Sequence, residues 1–164
     1  MRRITRIAPA VLPARFPSVV ESDSAVVKIL REWSAELRAA LRQVRKREQM
    51  TLRLFGRVED TAPPVSPPEG DAAQNAGTRY LTSRAGAQAA PELEPLRRML
   101  GPILSAERIT RHEGGPLLLT AYYLVPRGAA AAYRRIVRRH AAALGWRSVT
   151  TGPWPPYAFV PELG

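Results

Sequence analysis

The apolar positions of this chain change period several times, and each change marks an element. Between Ala25 and Lys46, apolar residues fall at Val26, Leu30, Trp33, Leu37, Leu41 and Val44. Steps of three and four place them on one stripe of a helix. Ser22-Asp23-Ser24 supplies capping oxygens ahead of it. The far face carries Arg31, Arg38, Arg42 and Arg45, so the stripe is expected to pack within the chain. Met50 to Val58 then alternates Met50, Leu52 and Leu54 against Thr51, Arg53 and Arg57, the period of a half-buried strand. A second alternating stretch, Ala106 to Glu113, leads through Gly114-Gly115 to an apolar return, Leu117 to Val125. That pattern predicts a hairpin with a two-residue turn.

Gly128 precedes a further helix with Tyr133, Ile136, Val137, His140, Ala141 and Leu144 on one face. Gly145 follows where a helix C-terminus favours a left-handed residue. Trp146 to Thr151 reads as a last strand. Between the first strand and the hairpin, Glu59 to Gly77 holds Pro63-Pro64 and Pro67-Pro68 among acids, glycine and alanine. Such a stretch cannot build a core and predicts a disordered loop. Helices are expected from Thr78 to Ala90 and from Glu92 to Leu100, punctuated by Pro91, Pro95 and Pro102. The first twenty residues combine a short β-like stretch with Pro9, Pro13 and Pro17.

From Met50 onward the order is strand, helices, hairpin, helix, strand. This is the βαββαβ order of a ferredoxin-like α+β fold, an antiparallel sheet with helices packed on one face. The expected organisation is an extended arm over 1–21, a long amphipathic linker helix over 22–47, and the α+β domain over 48–160. The last includes the Pro-rich loop 59–77 and merges with a Pro/aromatic tail, 152–164.

Composition narrows the function by exclusion. No cysteine occurs in 164 residues, so disulfide and thiolate chemistry are absent, which suits a cytoplasmic protein. No apolar run approaches the roughly 18 residues needed to span a bilayer, and the N-terminus lacks the apolar core of a signal peptide. No P-loop, dinucleotide fingerprint or nucleophile elbow occurs. His112 and His140 have no partners at metal-ligand spacing. His140 lies on the apolar helix face and reads as a packed histidine. Glu92 and Glu94 read as solvated acids at a helix start. No enzyme activity and no cofactor are expected.

The formal net charge is +11, and Lys28 and Lys46 are the only lysines among 25 basic residues. Arginine suits phosphate, so a basic nucleic-acid-binding module is the alternative reading. Tyr122 and Tyr123 are adjacent on a strand, so at most one can join a stacking platform. The glycine and spaced phenylalanines of an RNA-recognition signature are missing, and nucleic acid is disfavoured as a partner. Arg134, Arg135, Arg138 and Arg139 line the polar face of their helix. They form either a solvated face or a patch for an acidic partner.

The most telling segment is Thr151-Gly-Pro-Trp-Pro-Pro-Tyr-Ala-Phe-Val160. Its prolines forbid a regular helix and push their neighbours to extended backbone. The result is a stiff strip presenting Trp154, Pro155, Pro156, Tyr157 and Phe159. Such a strip either caps its own domain or supplies interface anchors.

Within it, GPWPPYAFV resembles the GPWPPYSFV ending of the gas vesicle protein GvpL/GvpF family, with Ala158 at the position where that family often has serine. Val11-Leu-Pro-Ala-Arg-Phe16 resembles its VLPxRFG segment, with Pro17 in place of glycine. Gln49 to Phe55 resembles the strand after its long helix, and Gly77-Thr-Arg-Tyr-Leu81 the start of a further helix. The likeness spans roughly Ala10 to Val160. It implies a modified ferredoxin-like C-terminal domain, with most of the family's N-terminal domain missing and the arm as its remnant. It also implies a non-enzymatic accessory protein of gas vesicle assembly in the cytoplasm, associated with the vesicles. The implied partners are the small hydrophobic major shell protein and other accessory proteins. Trp154, Pro155, Pro156, Tyr157 and Phe159 are the candidate contacts, together with Arg134 and Arg138.

Overall fold

The computed structural model describes residues 4, 7–14, 19–56, 90–113 and 115–161. The expected loop 59–77 and, apart from Ala90, the helix from Thr78 to Ala90 lie outside the described residues. After the N-terminal residues come two helices, α1 (Asp23–Glu32) and α2 (Ser34–Val44). They are followed by strand β1 (Arg47–Phe55), helix α3 (Glu94–Leu100), and the strands β2 (Ala106–Arg111) and β3 (Leu117–Pro126). Helix α4 (Ala130–Ala143) and strand β4 (Arg147–Trp154) complete the order, which ends in a single 3₁₀ turn, Tyr157–Phe159.

The result is an α+β architecture around one four-stranded antiparallel sheet, with strand order β2-β3-β1-β4. Its central strand β1 pairs Leu52 with Ala121 on one side and with Thr150 on the other. The alternation along β1 sorts its side chains to two faces. Met50, Leu52 and Leu54 join Leu119, Ala121, Tyr123 and Val125 beneath α3 and α4, where Leu93, Leu96, Leu100, Tyr133 and Val137 close the main core. The rings of Tyr123 and Tyr133 lie 5.6 Å apart and tilted. Burial, reinforced by the nearby Glu107 carboxylate, pushes both phenols well above their ordinary pKa. Arg97 holds Glu107 at 2.7 Å from the helix side.

Four features differ from the pattern reading. The long helix is two helices, because Trp33 leaves helical geometry at φ −98° and ψ 19°. Backbone bonding continues through it, with Trp33 N–H to Ile29 O at 3.0 Å and Leu37 N–H to Trp33 O at 2.9 Å. The junction is therefore a kink at two modest helix formers, Trp33 and Ser34. The apolar stripe is also buried only at its end. α1 has no buried residue, whereas α2 buries Ala40 and Val44, because only the end of α2 lies against the sheet.

The N-terminal residues contain a helical bond, Ala8 N–H to Ile4 O at 2.9 Å, where a β-like stretch was expected. Finally, the hairpin has a longer connection than Gly114-Gly115. Strand β2 ends at Arg111, and one further bond, His112 N–H to Leu118 O, follows. Pro116 cannot donate to a ladder.

Among the described residues, the second face of the sheet is covered by other elements at one end. There Val44, Leu124 and Phe159 form a smaller cluster with Ala10, Leu12, Ala106, Tyr122 and Ala158. Three distant pieces of chain meet in it: the arm, the end of α2 and the tail. The arm is tied down by Lys46 N–H to Pro9 O at 2.7 Å and by the Arg127 guanidinium to Ala8 O at 2.8 Å.

Candidate functional site

The Pro/aromatic strip begins inside the sheet. β4 continues through Gly152 and Pro153 to Trp154, which pairs with Gln49 across an irregularity in the ladder. Gly152 makes that irregularity possible. Its φ is +115°, and a Cβ there would sit 2.8 Å from the carbonyl oxygen of Gln49. The Arg134 guanidinium, reaching from α4, donates to the carbonyl of Gly152. Helix α4 and the start of the strip are thus joined by an arginine side chain.

Past Trp154 the chain turns back over the second face. Pro155 and Pro156 are buried. Phe159 is 2% exposed and fills the cluster with Val44 and Leu124, while the Arg108 guanidinium lies 5.9 Å from its ring centre. The buried side chain of Gln49 fixes this return by accepting from Ala158 N–H at 2.8 Å. The remaining rings are less enclosed: Trp154 is partly buried and its indole N–H donates to Thr151 Oγ1 at 3.3 Å, and Tyr157 is 41% exposed.

The seven expected contacts therefore separate physically. Phe159, Pro155 and Pro156 hold the strip to its own domain, and Trp154 and Tyr157 present surface. Arg134 is engaged with the strip, whereas Arg138 is exposed on α4 beside Arg135 and Arg139. The strip and Arg134 are brought together; Arg138 has no described contact with the strip. Gln49, Gly152 and Arg108 position the strip, and the sequence reading did not name them as such. For Gln49 a signal existed, a polar residue in the alternation of a strand whose tail returns over it.

His140 is buried and meets Trp146 edge-on with ring centres 5.3 Å apart. His112 Nε2 lies 2.9 Å from Thr120 Oγ1. Among the described residues no group of three potential metal ligands occurs, and no helix is long and apolar enough to cross a membrane.

The family model described as gas vesicle synthesis protein GvpL/GvpF matches residues 2–161. The chain belongs to the GvpL/GvpF family. Its fold is similar to that of two solved members. The gas vesicle protein GvpF of Anabaena sp. PCC7120 superposes with a TM-score of 0.68 at 16% identity, over 98% of this chain and 70% of that one. GvpF of Microcystis aeruginosa gives a TM-score of 0.66 at 12% identity, over 97% and 74%. At such identities the likeness establishes the fold alone. No curated protein matches the chain. This GvpL/GvpF chain is accordingly a gas vesicle-related protein, and the strip Gly152–Val160 is the segment through which its tail, helix α4 and central strand are joined.

Proposed function

We propose that this chain is a non-enzymatic accessory protein of gas vesicle assembly. It binds the small hydrophobic major shell protein through Trp154 and Tyr157, in the cytoplasm and in association with the growing vesicle. The observation that carries this reading is the exposed ring of Tyr157, with the partly buried Trp154 near it, on a strip anchored to its own domain by Pro155, Pro156 and Phe159. A rigid strip loses little conformational entropy on binding, and aromatic anchors supply large contact area. A shell subunit exposes apolar surface before it assembles, and covering that surface suppresses off-pathway association. Arg138, exposed on α4, would face an acidic part of the same partner. The scaffold is read as the ferredoxin-like βαββαβ arrangement, which the strand order β2-β3-β1-β4 supports.

The test is affinity capture of co-expressed shell protein by the wild-type chain and by Trp154→Ala and Tyr157→Ala. Point substitutions are informative here, whereas removing 152–164 would take away the end of β4 and the buried Phe159. Reduced capture by variants with wild-type circular dichroism and melting supports the reading. Undiminished capture by both variants overturns it.

A further inference from the structure

The second face of the sheet is clothed at one end by the arm, α2 and the tail; at the other end, among the described residues, no helix packs on it and Arg53, Arg147 and Val149 are exposed. Cross-strand register aligns the rows at that end. Thr110 pairs with Thr120, Thr120 with Arg53, and Arg53 with Val149; Thr120 is buried among them, and the other three are exposed. In the next row, Phe55 pairs with Arg147, whose guanidinium lies 5.6 Å from the ring centre. Leu118 stands at the same end, at the register shift opposite Leu54 and Phe55, and is 47% exposed, and Val149 is 45% exposed. The positions on this face carry Arg53, Arg108 and Arg147 and no acid: β1 gives Gln49, Thr51, Arg53 and Phe55, and β4 gives Arg147, Val149 and Thr151. Among the described residues none of those three arginines meets a carboxylate, whereas on the helix side Arg97 meets Glu107 and Arg111 meets Glu92.

Two exposed aliphatic side chains on strands either side of β1, with guanidinium groups between and beside them, are complementary to an apolar stripe flanked by carboxylates. We propose that this half-face docks an acidic amphipathic helix of a partner protein, apart from the aromatic strip and beyond the role assigned to it. A helix roughly 10–12 Å across matches two to three strands spaced about 4.8 Å apart, and helices already cover the opposite face in this way. Nucleic acid fits less well. The Phe55 and Phe159 rings each have a guanidinium near them rather than a free face for a base, and Leu118 and Val149 offer nothing to a phosphate.

The experiment is fluorescence anisotropy on the full chain. The probe is a labelled helical peptide of roughly 18 residues with leucine at i, i+3, i+4 and i+7 and glutamate on the flanks. The wild-type chain binds it, and the same peptide with lysine for glutamate does not bind. Arg53→Glu with Arg147→Glu weakens binding by about tenfold or more, as does Leu118→Ser with Val149→Ser. Arg53→Gln with Arg147→Gln is the milder pair should the charge reversal perturb folding, and it shows a smaller loss. Arg135→Glu on α4 and Tyr157→Ala on the strip leave binding unchanged, which separates this surface from the shell-protein site. Equal binding of the glutamate and lysine peptides, or undiminished binding by the folded variants, overturns the proposal. So does tight binding of a single-stranded oligonucleotide in place of the peptide, or a concentration-dependent dimer that Val149→Ser abolishes.

Discussion

The side-chain carbonyl of Gln49 accepts the backbone N–H of Ala158 at 2.8 Å, across 109 positions of sequence. Gln49 is buried in the central strand, and its amide N–H reaches Thr51 Oγ1 at 3.4 Å. One side chain therefore holds the returning tail against the middle of the sheet.

Gln49→Leu conserves much of the volume and removes the acceptor. It leaves the Ala158 N–H without its partner, which costs about 1–3 kcal/mol. Urea denaturation is expected to show that loss, and limited proteolysis to show earlier cleavage in the tail than in the wild type.

Gly152→Ala combines an unfavourable backbone angle with a Cβ placed against Gln49 O. The conformation alone costs about 1–3 kcal/mol. Gly145→Ala is the control, since Gly145 also has positive φ but open space around it, and it is expected to cost only about 1–2 kcal/mol. Thermal melts that rank Gly145→Ala as the more damaging variant would contradict the close approach at Gly152.

The two outer rings of the 3₁₀ turn have opposite roles. Phe159→Ala empties a buried site and is expected to cost about 3–5 kcal/mol. Tyr157→Ala, at an exposed position, is expected to stay within about 0.5 kcal/mol of wild type. Chemical denaturation of both variants measures the difference.

Much of this arrangement is legible in the sequence. The alternation of Met50, Leu52 and Leu54 and the helical stripe through Tyr133, Ile136 and Val137 name main-core residues, because each face repeats one period, whereas Leu144 at the end of that stripe is exposed. Gly145 ends its helix at φ +64°, as its position after Leu144 predicts. Tyr122 and Tyr123 do point to opposite faces, the first to the smaller cluster and the second to the main core. What the pattern could not convey is tertiary. Trp33 fits the helical stripe, so nothing in the periodicity marks the kink there. Phe159 looks identical whether it caps its own sheet or anchors a partner, and only its meeting with Val44 and Leu124 decides. Arg53 and Phe55 read as ordinary strand residues until the cross-strand register sets them beside Val149 and Arg147.

The buried phenols make stability sensitive to alkaline pH. Tyr123 and Tyr133 have folded pKa values raised above those of the unfolded chain, chiefly by burial. Below about pH 10 both states keep these protons and no penalty arises. Above it the unfolded chain releases protons that the folded one retains, so stability falls as pH rises, by about 1.4 kcal/mol per pH unit for each phenol. Melting temperatures measured from pH 8 to 11 are expected to drop beyond about pH 10, and Tyr133→Phe to make that drop shallower.

The proposed role requires this chain to cover apolar surface of the shell protein. Light scattering during dilution of denatured shell protein into buffer, with and without an equimolar amount of the chain, tests it most directly. Covering that surface predicts suppressed scattering and a soluble complex of the two proteins, with Trp154→Ala less effective than wild type. Unchanged scattering in the presence of the folded chain would contradict the claim.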